Sequence, residues 1–223
     1  MEENIVTIRS AYMKVLRSVE GMPFGSGASD LELYKDLCCG CVLVAENNLR
    51  EQRRSWENSE LTRVLLRYAA WLECFDHMLP FLSEALNRMT ETLFEHPRLS
   101  LKLWQMYLTV LRRIEAQQQH DLTAAEDASR KIDRLQRNIA LADKGLLDEI
   151  RTDGHLKSDP IEWTRQYEDV IDDVERELDL LLYDHPRGMG FCHALWYYKE
   201  QVLQMYGISW RSPHVMNPRV MFD

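Results

Sequence analysis

The chain has 223 residues, 45% hydrophobic and 28% charged, a balance that supports a sizeable buried core and excludes wholesale disorder. Its formal net charge of −9 disfavours nucleic acid as an obligate partner, because phosphate-backbone affinity needs a concentrated positive face. No run approaches about 18 consecutive apolar residues, so no membrane partner is expected.

In chain order, Ile5, Ile8, Tyr12, Val15, Leu16 and Val19 form a helical stripe that ends at the loop-like Gly21-Met22-Pro23-Phe24-Gly25-Ser26-Gly27. Ser29 stands three residues before Glu32, a capping-box spacing that predicts a second helix through about Asn47. The polar stretch Leu49 to Trp56 reads as a solvated last turn. Ser59 is the expected cap of a third helix, apolar on every face from Leu61 to Leu79 and therefore central, with Pro80 breaking it. Ala125, Ala128, Ile132, Leu135, Ile139, Ala142 and Leu146 make a narrow seam. That seam predicts a long, coiled-coil-like helix over 122–150, antiparallel to 100–118 and ended by Gly154. Asp159-Pro160-Ile161-Glu162 is a start signal for a helix running to Tyr183. The acidic run Glu168, Asp169, Asp172, Asp173, Glu175, Glu177 and Asp179 reads as its solvated face. Two prolines exclude a regular helix across the tail 207–223, yet Ile208, Trp210, Val215, Met216, Val220, Met221 and Phe222 are too apolar for water. The tail is expected to cover its own bundle, or else to dock into a partner.

Glu95-His96-Pro97-Arg98 returns as Asp184-His185-Pro186-Arg187. Ahead of each lies a matching run: Phe81, Leu82, Ala85, Met89, Leu93 and Phe94 fall on Val170, Ile171, Val174, Leu178, Leu182 and Tyr183. Behind each, Leu103-Trp104 and Val110-Leu111 match Leu195-Trp196 and Val202-Leu203, once Gly188-Met189-Gly190 is taken as an insertion. This predicts two related helix–turn–helix hairpins, residues 81–111 and 170–203. No strand pattern outlasts a helical one. The expectation is a single all-α domain over 1–223, an antiparallel helical bundle of about seven or eight helices.

Several residues carry candidate chemistry. His96, Arg98, His185 and Arg187 read first as repeated helix-stop turns, with the histidine and arginine favoured by a helix C-terminus. If the turns share one end of the bundle, the four side chains would form an anion site. Cys38 with Cys41, and Cys74 with His77, each lie three apart on an expected helix, so together they would offer four soft ligands to Zn²⁺. The competing reading makes Cys38-Cys39-Gly40-Cys41 a small-residue patch where another helix comes close, with no cofactor at all. Adjacent Cys192 and His193 diverge by about 100° on a helix and make no local catalytic pair. Arg50, Arg53, Arg54, Arg63 and Arg67 form the better of two basic clusters for a nucleic-acid contact.

No phosphate-binding glycine loop, nucleophile elbow or HExxH motif occurs. Five cysteines, three of them crowded together, do not make a disulfide framework and point to a reducing compartment. The first functional expectation is thus a non-enzymatic cytoplasmic interaction or regulatory protein, using a protein partner or self-association through the long helix or the tail. The second is a helical ligand- or metal-binding protein or enzyme with its pocket between the hairpins. A nucleic-acid-associated factor is the third.

Overall fold

The computed structural model describes residues 2–21, 23–151 and 156–222. The helices are α1 (Glu2–Val19), α2 (Ala28–Glu51), α3 (Glu57–Leu72), α4 (Leu79–Thr90), α5 (Pro97–Gln118), α6 (Thr123–Asp143), α7 (Arg165–Leu181), α8 (Phe191–Met205) and the single turn α9 (Pro213–Met216). Short 3₁₀ turns lie at Asp76–Met78, Leu147–Glu149 and Pro160–Trp163. Among the described residues the protein is all-α, and consecutive helices pack antiparallel.

Several boundaries move for identifiable reasons. The N-terminus of α2 is tied by Asp30, whose carboxylate accepts from Gly27 N–H at 3.2 Å, so Ser29 is already helical and Glu32 pairs with Lys35 instead. Ser59 lies inside α3, where its hydroxyl donates to Asp172 across the molecule at 2.6 Å. α3 stops at Leu72, well before Pro80, which sits in the first turn of α4, where its missing N–H costs nothing. α6 ends at Asp143, and two of the last three seam positions loosen: Ile139 yields its buried place to Asn138, whose amide donates to Arg151 O at 2.7 Å, and Leu146 is exposed, while Ala142 stays buried. Gly154 falls outside the described residues. Asp159-Pro160 opens the 3₁₀ turn, and α7 begins a turn later, where the Thr164 hydroxyl accepts from Tyr167 N–H.

The patch around Gly40 is a close helix approach. A β-carbon there would meet the Tyr12 ring at 3.1 Å, so α1 can lie on α2 only where the side chain is absent. The first core draws on α1 to α6, and takes in Ala125 and Ala128 of the α6 seam, where α6 packs onto α5. The second is smaller: Tyr167, Ile171, Val174 and Leu178 of α7, Val202 and Leu203 of α8, and Ile208 and Trp210 of the tail.

Between the cores lies a polar layer, and it settles where the tail and the charged runs belong. The basic residues after α2 meet the acidic run of α7. Arg54 N–H donates to Asp179 at 2.5 Å, Arg53 to Tyr183 O at 3.1 Å, and Arg63 lies 3.8 Å from Asp172. The acidic face expected to be solvated is thus partly an internal surface. Glu168 accepts from Arg98 N–H at 3.0 Å and Leu99 N–H at 3.2 Å, which satisfies two orphan donors at the start of α5. Ile208 and Trp210 are buried on the chain's own core, and the tail is pinned by Arg211–Asp159 and Asn217–Lys157 pairs.

Candidate functional site

A cavity of about 430 Å³ opens in the polar layer. The end of α2 and its following loop contribute Asn48, Gln52 and Ser55, and the α4–α5 turn contributes Glu95. The 3₁₀ turn adds Glu162, and the opposite wall is α7, α8 and the tail.

At its inner end four charged groups crowd together. Lys199, only 6% exposed, points its Nζ at both Glu95 oxygens, at 2.5 and 2.6 Å. The Tyr167 hydroxyl donates to Glu95 at 3.1 Å, and the Trp210 indole N–H donates to Glu162 at 2.8 Å. Glu95 holds a left-handed backbone, φ 59, a conformation that costs a residue with a β-carbon about 1–2 kcal/mol. The lysine and tyrosine contacts hold it there.

The electrostatics follow from counting: three carboxylates share one ammonium. Burial works to raise Glu95, but the Lys199 charge and the hydrogen bonds from Lys199 and Tyr167 outweigh it and keep Glu95 below the usual range. Burial works to lower Lys199, and Glu95, Glu175 and Glu162 together hold it above its ordinary value. The other two acids carry the imbalance. Burial, then the Glu95 charge, pushes Glu162 up to about 7 and Glu175 up to about 8.

The outer end has the opposite bias. Arg187, its side chain 14% exposed, lies 3.8 Å from Asp179 and 4.2 Å from the Phe191 ring. Its Nε and Nη1 have no hydrogen-bond partner. Between the ends run Leu178, Leu195 and Trp196, an apolar and aromatic middle.

The four residues of the two His-Pro-Arg turns do not converge. Pro97 opens α5, so His96 precedes a helix rather than following one, and the C-terminal dipole argument does not apply to it. His96 is buried with Nε2 3.1 Å from Asp172. Arg98 is bound to Glu168, Asp143 and the Trp163 carbonyl. His185 is exposed, edge-on to Tyr198 at 6.1 Å. Of the four, only Arg187 reaches the cavity.

The cysteine and histidine pairs are also apart. Cys38 and Cys41 lie fully buried in the first core, and burial pushes Cys41 up to about 12 and Cys38 well above the ordinary thiol range, the wrong direction for a thiolate ligand. Cys74 is exposed beyond the end of α3, and His77 sits in the 3₁₀ turn that follows. Among the described residues no group of three or more His, Cys, Asp or Glu side chains is placed to share a metal ion.

The arginine cluster does not form one free basic face. Besides the α7 contacts of Arg53, Arg54 and Arg63, Arg67 lies over the Phe24 and Tyr68 rings at 5.7 Å, and Arg50 is exposed at the end of α2.

The cavity residues that sequence reading passed over had a signal. Lys199 stands on the apolar stripe Leu195, Trp196, Val202, Leu203, and Glu175 on the stripe Ile171, Val174, Leu178. A charge at a core register position marks a pocket or a buried pair. No known protein family, curated protein or solved structure significantly matches this chain.

Proposed function

We propose that this is a small-molecule-binding protein whose ligand carries an organic cation, a primary amine being the simplest, held in the cavity between the α4–α5 and α7–α8 hairpins. The observation that carries this reading is the charge count at Lys199. Glu95 is satisfied, and Glu162 and Glu175, pushed up to about 7 and about 8 by desolvation and the Glu95 charge, are left without a cation of their own. A ligand ammonium would supply it, and the aromatic middle would take an apolar body, as small-molecule sites do. A duplicated hairpin belongs to the same reading, supported by the matched apolar positions and by each acid-His-Pro-Arg phrase giving the cavity one residue, Glu95 or Arg187. So does a cytoplasmic setting, supported by five cysteines, three of them crowded together, that do not make a disulfide framework; no helix among the described residues is long and apolar enough to cross a membrane.

The test is titration calorimetry with octylamine, octanol and octanoate, in two buffers of different ionisation enthalpy at pH 7.5. Octylamine is expected to bind and to release protons, because an ammonium beside Glu162 and Glu175 favours their ionised forms. Binding of octanoate in preference to octylamine, or amine binding without proton release, overturns the reading.

A second reading, protein–protein contact, rests on the exposed large apolar side chains of α7–α8 and its turn: Leu180 is 75% exposed, Met189 92% and Met205 69%. The α6 seam and the buried part of the tail no longer serve it, being packed on the chain itself. A mass rising with concentration in light scattering would favour it, and a constant monomer mass removes self-association.

A further inference from the structure

We infer that the ligand is dipolar: an amine at the Glu162 and Glu175 end of the cavity and an anionic group at Arg187, joined by an extended apolar spacer. This rests on the amine reading and adds a second end to it. Arg187 and Lys199 lie at opposite ends of the cavity wall formed by α8. From Phe191, on which the guanidinium rests, to Lys199 is eight residues of helix (199 minus 191), about 12 Å at 1.5 Å per residue. The antiparallel α7 repeats the order, with Glu175 at the inner end, Leu178 between, and Asp179 and Leu182 at the outer end.

Arg187 needs an acceptor that the chain does not provide. Its Nε and Nη1 are buried without a hydrogen bond. The Phe191 ring attracts the charge but offers no oxygen acceptor. Asp179 is 3.8 Å from Nη2, beyond hydrogen-bond reach, and is itself engaged by Arg54 N–H. Arg53 adds a second cation to that end. A buried donor left unmatched is costly, whereas a guanidinium fork meets a carboxylate or phosphate with two charge-assisted bonds. The cavity is therefore acid-rich at one end, has a guanidinium with unmatched donors at the other and is apolar in between.

The experiment compares aminooctanoate, octylamine, alanine and an aminoalkyl phosphate of the same length, by calorimetry on the full chain. Aminooctanoate is expected to bind about tenfold or more tightly than octylamine, since a desolvated Arg–carboxylate pair outweighs the extra desolvation. Alanine, whose charges are too close together, should bind far more weakly. Either aminooctanoate or the phosphate exceeding octylamine supports the proposal, and the tighter of the two names the anion. In Arg187→Gln the ratio of aminooctanoate to octylamine affinity should shrink towards one. Equal binding of octylamine and both anionic probes by the unsubstituted protein overturns the dipolar ligand and leaves the amine reading standing. Alanine matching aminooctanoate overturns the separated ends. If no amine binds at all, the amine reading itself fails.

Discussion

Lys199 and Glu95, 104 positions apart in sequence, meet with the ammonium bound to both carboxylate oxygens. The pair joins the two cores, since Glu95 lies in the α4–α5 turn and Lys199 on α8. Its two halves are not equivalent. Lys199→Met strands three carboxylates without a cation and should cost about 3–5 kcal/mol, as breaking a buried pair does. Glu95→Gln leaves Lys199 with Glu162 and Glu175 as counter-ions and should cost clearly less. Urea midpoints of the two variants check this; equal losses would mean that Glu162 and Glu175 do not compensate the lysine.

Stability should fall as pH rises through neutrality. Glu162 and Glu175 titrate at about 7 and 8 when folded, against an ordinary value of 4.5. Between those limits the folded chain holds protons that the unfolded chain has lost, so the slope of stability against pH is negative. Glu95, held low, acts oppositely and only in acid, where its contribution is lost as pH falls. Thermal melts between pH 5 and 9 should show the decline, and Glu175→Gln should flatten it.

Trp210→Phe removes the indole N–H that favours ionised Glu162. The Glu162 proton should then be held more tightly, so the decline in stability, which starts at the unfolded value, extends to higher pH. A carbon-detected carboxyl titration reads the shift directly. An unchanged Glu162 would dismiss the hydrogen bond as a contributor.

Glu168→Ala should loosen the junction between the cores, because one carboxylate accepts from the Arg98 backbone, the Arg98 guanidinium and Leu99 N–H. The expected loss is about 1.5–3 kcal/mol, the range for hydrogen bonds to a charged group. Hydrogen exchange should show the first turn of α5 exchanging faster, with the middle of α3 unaffected.

Thiol reactivity separates the cysteines. Cys74 is exposed, while Cys38 and Cys41 are buried and held protonated. An aromatic disulfide reagent should label Cys74 promptly in the native protein, and Cys38 and Cys41 only on unfolding. Native-state labelling of Cys41 as fast as Cys74 would contradict the packing of α1 across Gly40.

The helices were legible in the residues themselves, because a stripe repeating every three to four positions reports which face meets a core. That local signal found the buried faces of α5, α6 and α7 and predicted that α5 and α6 lie antiparallel. It could not say which of several acceptable ends a helix takes, so α3, α6 and α7 start or stop up to about three turns away from where proline, glycine and capping residues suggested. It also misplaced the charges. The basic residues after α2 and the acidic run of α7 each read as a solvated surface, since neither segment contains its partner.

Only the tertiary structure brought them together and, in the same polar layer, gathered Glu95, Glu162, Glu175 and Lys199 around one cavity. Apolar burial is dictated residue by residue, by what each side chain loses in water. A charge is tolerated inside only through its specific partner, and that partner stands, for Lys199, on the far side of the chain.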